Sequence, residues 1–158
     1  WFDGLVLRPR LLAIHQTAGV AGVAFGALHA LVLIPDGWTD FTLVGVLVPF
    51  ASSTDRAALG VGTAALYLSA IVSFSFWFRS RIGAKAWKRV HYAGFVAYLA
   101  ALWHGMTVGT DTGEPWALVL YASTGITIVF AVTVRLTYRK PARRRAVVQK
   151  GAQPVPGH

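Results

Sequence analysis

Read from end to end, the chain alternates long stretches without a charge and short clusters that hold nearly all of its charges. Between Arg10 and Asp36 lie 25 uncharged residues, between Arg56 and Arg79 lie 22, between Arg89 and Asp111 lie 21, and between Glu114 and Arg135 lie 20. A bilayer core about 30 Å thick needs roughly 20 apolar residues in helix. Each gap therefore predicts a transmembrane helix: A over about 11–35, B over 57–78, C over 90–110 and D over 115–134. A fifth gap, Phe41 to Thr54, holds 14 residues and contains Pro49. It is too short to span and is expected to lie in the outer interface or to re-enter the bilayer. A cleaved signal peptide is the competing reading of helix A, but the apolar stretch is too long, no small-residue cleavage site follows, and His15 and His29 interrupt it. The predicted fold is an all-α integral membrane bundle of four visible helices, with any helix upstream of Trp1 left uncounted.

Composition agrees with this pattern. Of 158 residues, 55% are hydrophobic and 13% charged, where a soluble domain carries roughly a quarter charged residues. A large soluble enzyme is excluded. The absence of cysteine removes disulfides, thiolate metal sites and cysteine nucleophiles. The net charge of +9 would suggest nucleic acid as partner for a soluble domain, but here its distribution matters more than its sum. If helix A runs outward, 14 of the 15 basic residues fall on one side and only Arg56 on the other, which receives five of the six acids. Basic residues stay on the cytoplasmic side, so residues 1–10, the B–C connection and the tail are expected there, and no nucleic-acid partner is. Helices A and C then run parallel, with B and D antiparallel to them. The tail over 139–158, basic and then Pro/Gly-rich, is too short to pack as a domain. It is expected to be disordered and to lie against anionic lipid or dock an acidic partner.

Four histidines, His15, His29, His91 and His104, fall inside helices A and C. An ionisable side chain inside a membrane helix is costly and marks a functional site by default. His15 and His29 are 14 residues apart, about 21 Å along the axis and about 40° from alignment. Gly19, Gly22 and Gly26 lie on the same stripe, offering nearly bare backbone to a flat, bulky ligand. His91 and His104 are 13 apart, which leaves about 140° between them in an ideal helix, over an arc populated by Gly94, Ala97, Ala101 and Gly105. With A and C parallel, His15 and His91 share one depth and His29 and His104 another.

Each pair can supply the two axial ligands of one haem iron through neutral imidazole, which avoids burying a cation. Two b-type haems would then stack across the bilayer. No C-x-x-C-H is present, so covalent attachment is excluded. Arg79, Arg81, Lys88 and Arg89 lie where the propionates of an inner haem would emerge, and equally where ordinary positive-inside residues belong. For a single histidine, a helix-to-helix hydrogen bond is the competing reading. A zinc or copper ion shared along one helix fails on distance, and two-histidine ion sites have too few ligands. A proton or metal transporter using His relays is disfavoured because helices A to D hold no Asp or Glu.

The paired-histidine helices, with WKRVHYAGFVAYLAALWHGMTVGTDT over 87–112, resemble the ferric reductase-like transmembrane domain family. LGVGTAALYLSAIVSFSFWFRSRIG over 59–83 and VPFASS over 48–53 look like its bacterial members. The resemblance covers about 11–138 and implies that His15 and His91 ligate an inner haem and His29 and His104 an outer one. It also implies a membrane cytochrome b acting as the redox subunit of a larger system in a bacterial plasma membrane. Eukaryotic relatives carry further helices before this core and a flavin and nicotinamide domain after it. Here no G-x-G-x-x-G follows a strand, so electrons are expected to come from a separate flavoprotein, a quinone-linked protein or a larger complex. Bis-histidine ligation leaves iron no open position, and no catalytic residue is expected. The alternative is an anchoring or assembly subunit that keeps the family's shape with little or no redox role.

Overall fold

The computed structural model describes residues 7–35 and 41–137. Its helices are α1 (Leu7–Val32), α2 (Leu43–Leu47), α3 (Arg56–Ile82), α4 (Ala84–Val108) and α5 (Pro115–Thr137), and there is no strand among the described residues. The protein is an all-α integral membrane protein. Predicted helices A to D correspond to α1, α3, α4 and α5. Three of these, α1 from Pro9 onward, α3 and α5, are long and apolar enough to cross a membrane. The expected fourth, α4, is 25 residues long but does not reach the same hydropathy. His91 and His104, with Gly94, Gly105 and the polar rims of Tyr92, Tyr98 and Trp103, lower its average. The residues that make this helix chemically interesting are the ones that weaken its apolar signal.

The chain divides into two compact units, 1–112 and 113–158. In the first, α3 is the central helix, packing against α4, α1 and α2. A side chain built at Gly19 of α1 would meet Ser73 Oγ at 3.3 Å, and one at Gly26 would meet Leu66 Cδ1 at 3.0 Å. In both contacts the residue numbers add to 92, the mark of an antiparallel register. On α4, Gly94 faces Val72 and His104 faces Gly62, and here the numbers add to 166. Helices α1 and α4 are thus both antiparallel to α3 and parallel to each other. Small residues make this packing: Ala58, Ala65 and Ala97 are buried, with Ser75, and large apolar side chains such as Ile14, Phe25, Ile71 and Leu99 face outward. In lipid, helices associate by close backbone approach and not by hydrophobic burial, which accounts for a core of alanine and glycine.

The 41–54 segment packs against α3. It runs alongside the first half of α3. The Thr42 hydroxyl caps α2 by accepting from Gly45 N at 3.0 Å. Thr63 Oγ1 donates to the Val46 carbonyl at 3.0 Å, and the Tyr67 hydroxyl donates to that of Leu47. Thr63 is seven residues into α3, about 10 Å below its start. Irregular backbone beside a helix needs partners for its carbonyls, and α3 supplies them. Phe50, at φ 65, places its ring over Gly60, where an added Cβ would collide with it.

At the opposite end of α3, the connection read as a basic loop is a single residue. Gly83, at φ 79 and ψ 155, ends α3 and begins α4. That region of backbone space is essentially reserved for glycine. Arg79 and Arg81 close α3, while Lys85, Lys88 and Arg89 sit in the first turns of α4, where the helix dipole disfavours cations. In the second unit, α5 begins with Pro115, whose missing N–H costs nothing at a first helical position. Its hydroxyls turn inward on the helix: Thr127 bonds Ser123 O at 2.8 Å and Thr133 bonds Val129 O at 2.8 Å. The 139–158 tail and most of the 1–10 segment lie outside the described residues.

Candidate functional site

Register places the four histidines at two levels along α3. His15 is level with Trp77 and His91 with Ser75, a difference of two residues or about 3 Å. His29 is level with Thr63 and His104 with Gly62, about 1.5 Å apart in depth. The first pair lies toward the Gly83 hairpin, the second toward α2.

At the hairpin end the structure brings the two rings together. His15 and His91 have ring centroids 5.9 Å apart and planes inclined at 72°. Metal–imidazole bonds are about 2 Å long, so two imidazoles on opposite sides of one iron put their centroids about 6 Å apart. Behind His91 stands Trp87, stacked on it at 5.2 Å and 24°. Trp87 Nε1 is the one buried side-chain nitrogen or oxygen without a hydrogen-bond partner among the described residues. A buried donor left unsatisfied is costly, and an anionic group of a ligand would supply what the polypeptide does not.

The α2 end is organised differently. His104 Nδ1 lies 2.8 Å from the Ala58 carbonyl, and its ring fills the space a Gly62 side chain would occupy, with Nδ1 2.5 Å from the built Cβ. An imidazole that donates one N–H to a carbonyl has its orientation and tautomer set and presents the other nitrogen as an acceptor or ligand. His29, in the last turn of α1, is exposed, and its ring is not in contact with that of His104. The pair shares a level but not a contact.

The small-residue stripes expected to face a ligand serve mainly to pack helices. Gly19 and Gly26 are seven residues apart and meet α3, and Gly94 and Ala97 turn the same way on α4. Gly22, rotated about 60° from Gly19, is the exception, with nothing within 4 Å of a built Cβ. Among the described residues no group of three or more His, Cys, Asp or Glu could hold a metal ion. A porphyrin brings four nitrogens of its own, so a bis-histidine haem asks for only two ligands from the protein. The imidazole spacing, the orphaned Trp87 donor and the open Gly22 surface fit such a group. Trp87 was absent from the candidate ligands, though its place four residues before His91 puts both on one helix face. Gly62 and Ala58 carried no signal, because their role depends on how α4 slides against α3.

A helical membrane core that pairs histidines from two parallel helices defines the class of protein. The family model described as "Ferric reductase like transmembrane component" matches residues 2–102, and the chain belongs to that family. The match includes His15, His29 and His91 and ends two residues before His104. No curated protein and no solved structure matches the chain.

Proposed function

We propose that the protein is a membrane cytochrome b that carries electrons across the bilayer through two haems. His15 and His91 would hold the one nearer the cytoplasm, and His29 and His104 the one nearer the outside. The observation that carries this reading is the 5.9 Å separation of the His15 and His91 rings across two helices. Family membership makes a membrane redox component the expectation. Bound in this way, haem supplies one-electron chemistry with no open coordination position.

The chain supplies position, insulation and charge. His15 and His91 approach one centre from α1 and α4. The Ala58 carbonyl holds His104 through Nδ1 and leaves Nε2 for a ligand. Gly22 leaves a bare surface between the two levels, and small residues bring the helices close together. Arg79, Arg81, Lys85, Lys88 and Arg89 gather at the hairpin, where positive-inside bias marks the cytoplasmic face of a bacterial plasma membrane. There they would meet propionates or the acidic surface of a donor protein. That donor is a separate flavoprotein, a quinone-linked protein or a larger membrane complex.

Visible spectra of the protein in mild detergent, oxidised and dithionite-reduced, with the haem-to-protein ratio, test the proposal. Two b-type haems per chain are expected. A colourless, folded protein would overturn the reading and leave an anchoring or assembly subunit.

A further inference from the structure

At the α2 end a side chain of α4 bonds to the backbone of α3. His104 Nδ1 lies 2.8 Å from the Ala58 carbonyl, 46 residues away in the chain. A carbonyl oxygen only accepts, so Nδ1 carries the proton and Nε2 the lone pair. In a helix the same carbonyl also receives the N–H four positions on, here that of Gly62, and its second lone pair is open only if nothing covers it. Side chains lean toward the helix N-terminus, so one at position 62 would lie over the turn that carries Ala58. A Cβ built on Gly62 would sit 2.5 Å from His104 Nδ1 and 2.7 Å from Cε1. Nearby threonines show the competing arrangement: Thr63 and Thr107 return their own hydroxyls to the carbonyls of Leu59 and Trp103, four residues back, at 3.1 and 2.7 Å.

We propose that Gly62 is a positioning residue that uncovers the Ala58 carbonyl for His104, and that the resulting hydrogen bond lowers the reduction potential of the α2-end haem. The inference rests on the two-haem reading above. An N–H drawn toward a carbonyl leaves more electron density on the opposite nitrogen, so a ligating Nε2 becomes the stronger donor. Ferric iron gains more from a stronger donor than ferrous iron does. The oxidised form is favoured and the potential falls, hydrogen bonding to the axial ligand being one of the protein's means of setting it.

The test is potentiometric titration of the visible spectrum of the full chain in mild detergent, with His91→Ala, which keeps the α2-end haem, assigning the two potentials. Two changes weaken the bond by unlike routes. Gly62→Ala pushes the ring off the carbonyl. Replacing Leu59 by its α-hydroxy acid turns the Ala58–Leu59 amide into an ester, whose carbonyl is a poorer acceptor, with every side chain kept. The same exchange at Ala58 weakens the Ala57 carbonyl instead and is the control for an ester in the first turn of α3. In both changed proteins the potential of the α2-end haem that remains bound is expected to rise, with the hairpin-end potential and the control unmoved. The proposal is overturned, with the two-haem reading intact, by an unmoved α2-end potential in either changed protein, by equal movement of both potentials, by a like rise in the control, or by complete loss of the α2-end haem from the Leu59 ester, which would make the bond a binding requirement. An unmodified protein without haem overturns the two-haem reading and this inference with it.

Discussion

The hairpin end and the α2 end of the first unit each bring two histidines to a common level, yet they do so with unlike materials. At the hairpin end the connection is one glycine, the two histidine rings lie 5.9 Å apart, and an indole backs one of them. At the α2 end an irregular segment reaches down beside α3, one histidine is bonded to the α3 backbone, and the other stands apart. A shared sequence motif does not imply a shared state of assembly. At the hairpin end, rings from α1 and α4 come within 5.9 Å of each other beside the turn that joins α3 to α4. Where a third element is packed alongside, the side chains are distributed among neighbours.

The largest expected effect comes from the histidines themselves. His15→Ala or His91→Ala should remove one of two haems and spare the other, and His29→Ala or His104→Ala should do the converse. The reduced-minus-oxidised spectrum and haem content report both, and equal loss from all four would break the comparison. Glycine substitutions sharpen it next. Gly62→Ala builds a Cβ 2.5 Å from the His104 ring and is expected to lower haem content at the α2 end alone. Gly22→Ala meets no protein atom within 4 Å, so it should leave the fold intact and lower haem content, because its methyl projects onto the surface offered to the ligand. Gly83→Ala forces alanine into a glycine-only conformation and is expected to cost about 1–3 kcal/mol in denaturant unfolding in detergent, with the hairpin-end haem lost first on titration. The smallest effect is expected from Tyr67→Phe, which frees the Leu47 carbonyl at a cost of about 1 kcal/mol. The same unfolding assay should detect it without change in the hairpin-end spectrum.

Much of this is legible in the sequence. Charge-free gaps of 20 to 25 residues located four long helices, because a membrane core admits charged side chains only at high cost. Helix periodicity put His15 near His29 in direction, and the antiparallel connections put His15 level with His91. Helix C was found by the same charge-free gap, although its histidines and aromatic rims keep α4 short of the hydropathy of the others. The stripe of Gly19, Gly22 and Gly26 was read as a surface a flat ligand could lie against, and in the structure Gly19 and Gly26 face α3 while Gly22 stays open. Periodicity identifies which residues share a face, but the neighbour that occupies the face is decided by helix packing.

By itself the sequence determined that the chain is an all-α membrane protein of the ferric reductase-like family, and it determined the spacing of four histidines on two helices. Both follow from local physics: hydropathy per residue, rise per residue, and the penalty for buried charge. Only the tertiary structure decided that His91 stacks on Trp87 while His104 leans on Ala58, that Gly19 and Gly26 serve packing and Gly22 does not, and that the 41–54 segment descends beside α3. These depend on the rotation and sliding of one helix against another. Many small van der Waals contacts spread over distant residues set that register, and no single stretch of sequence contains it.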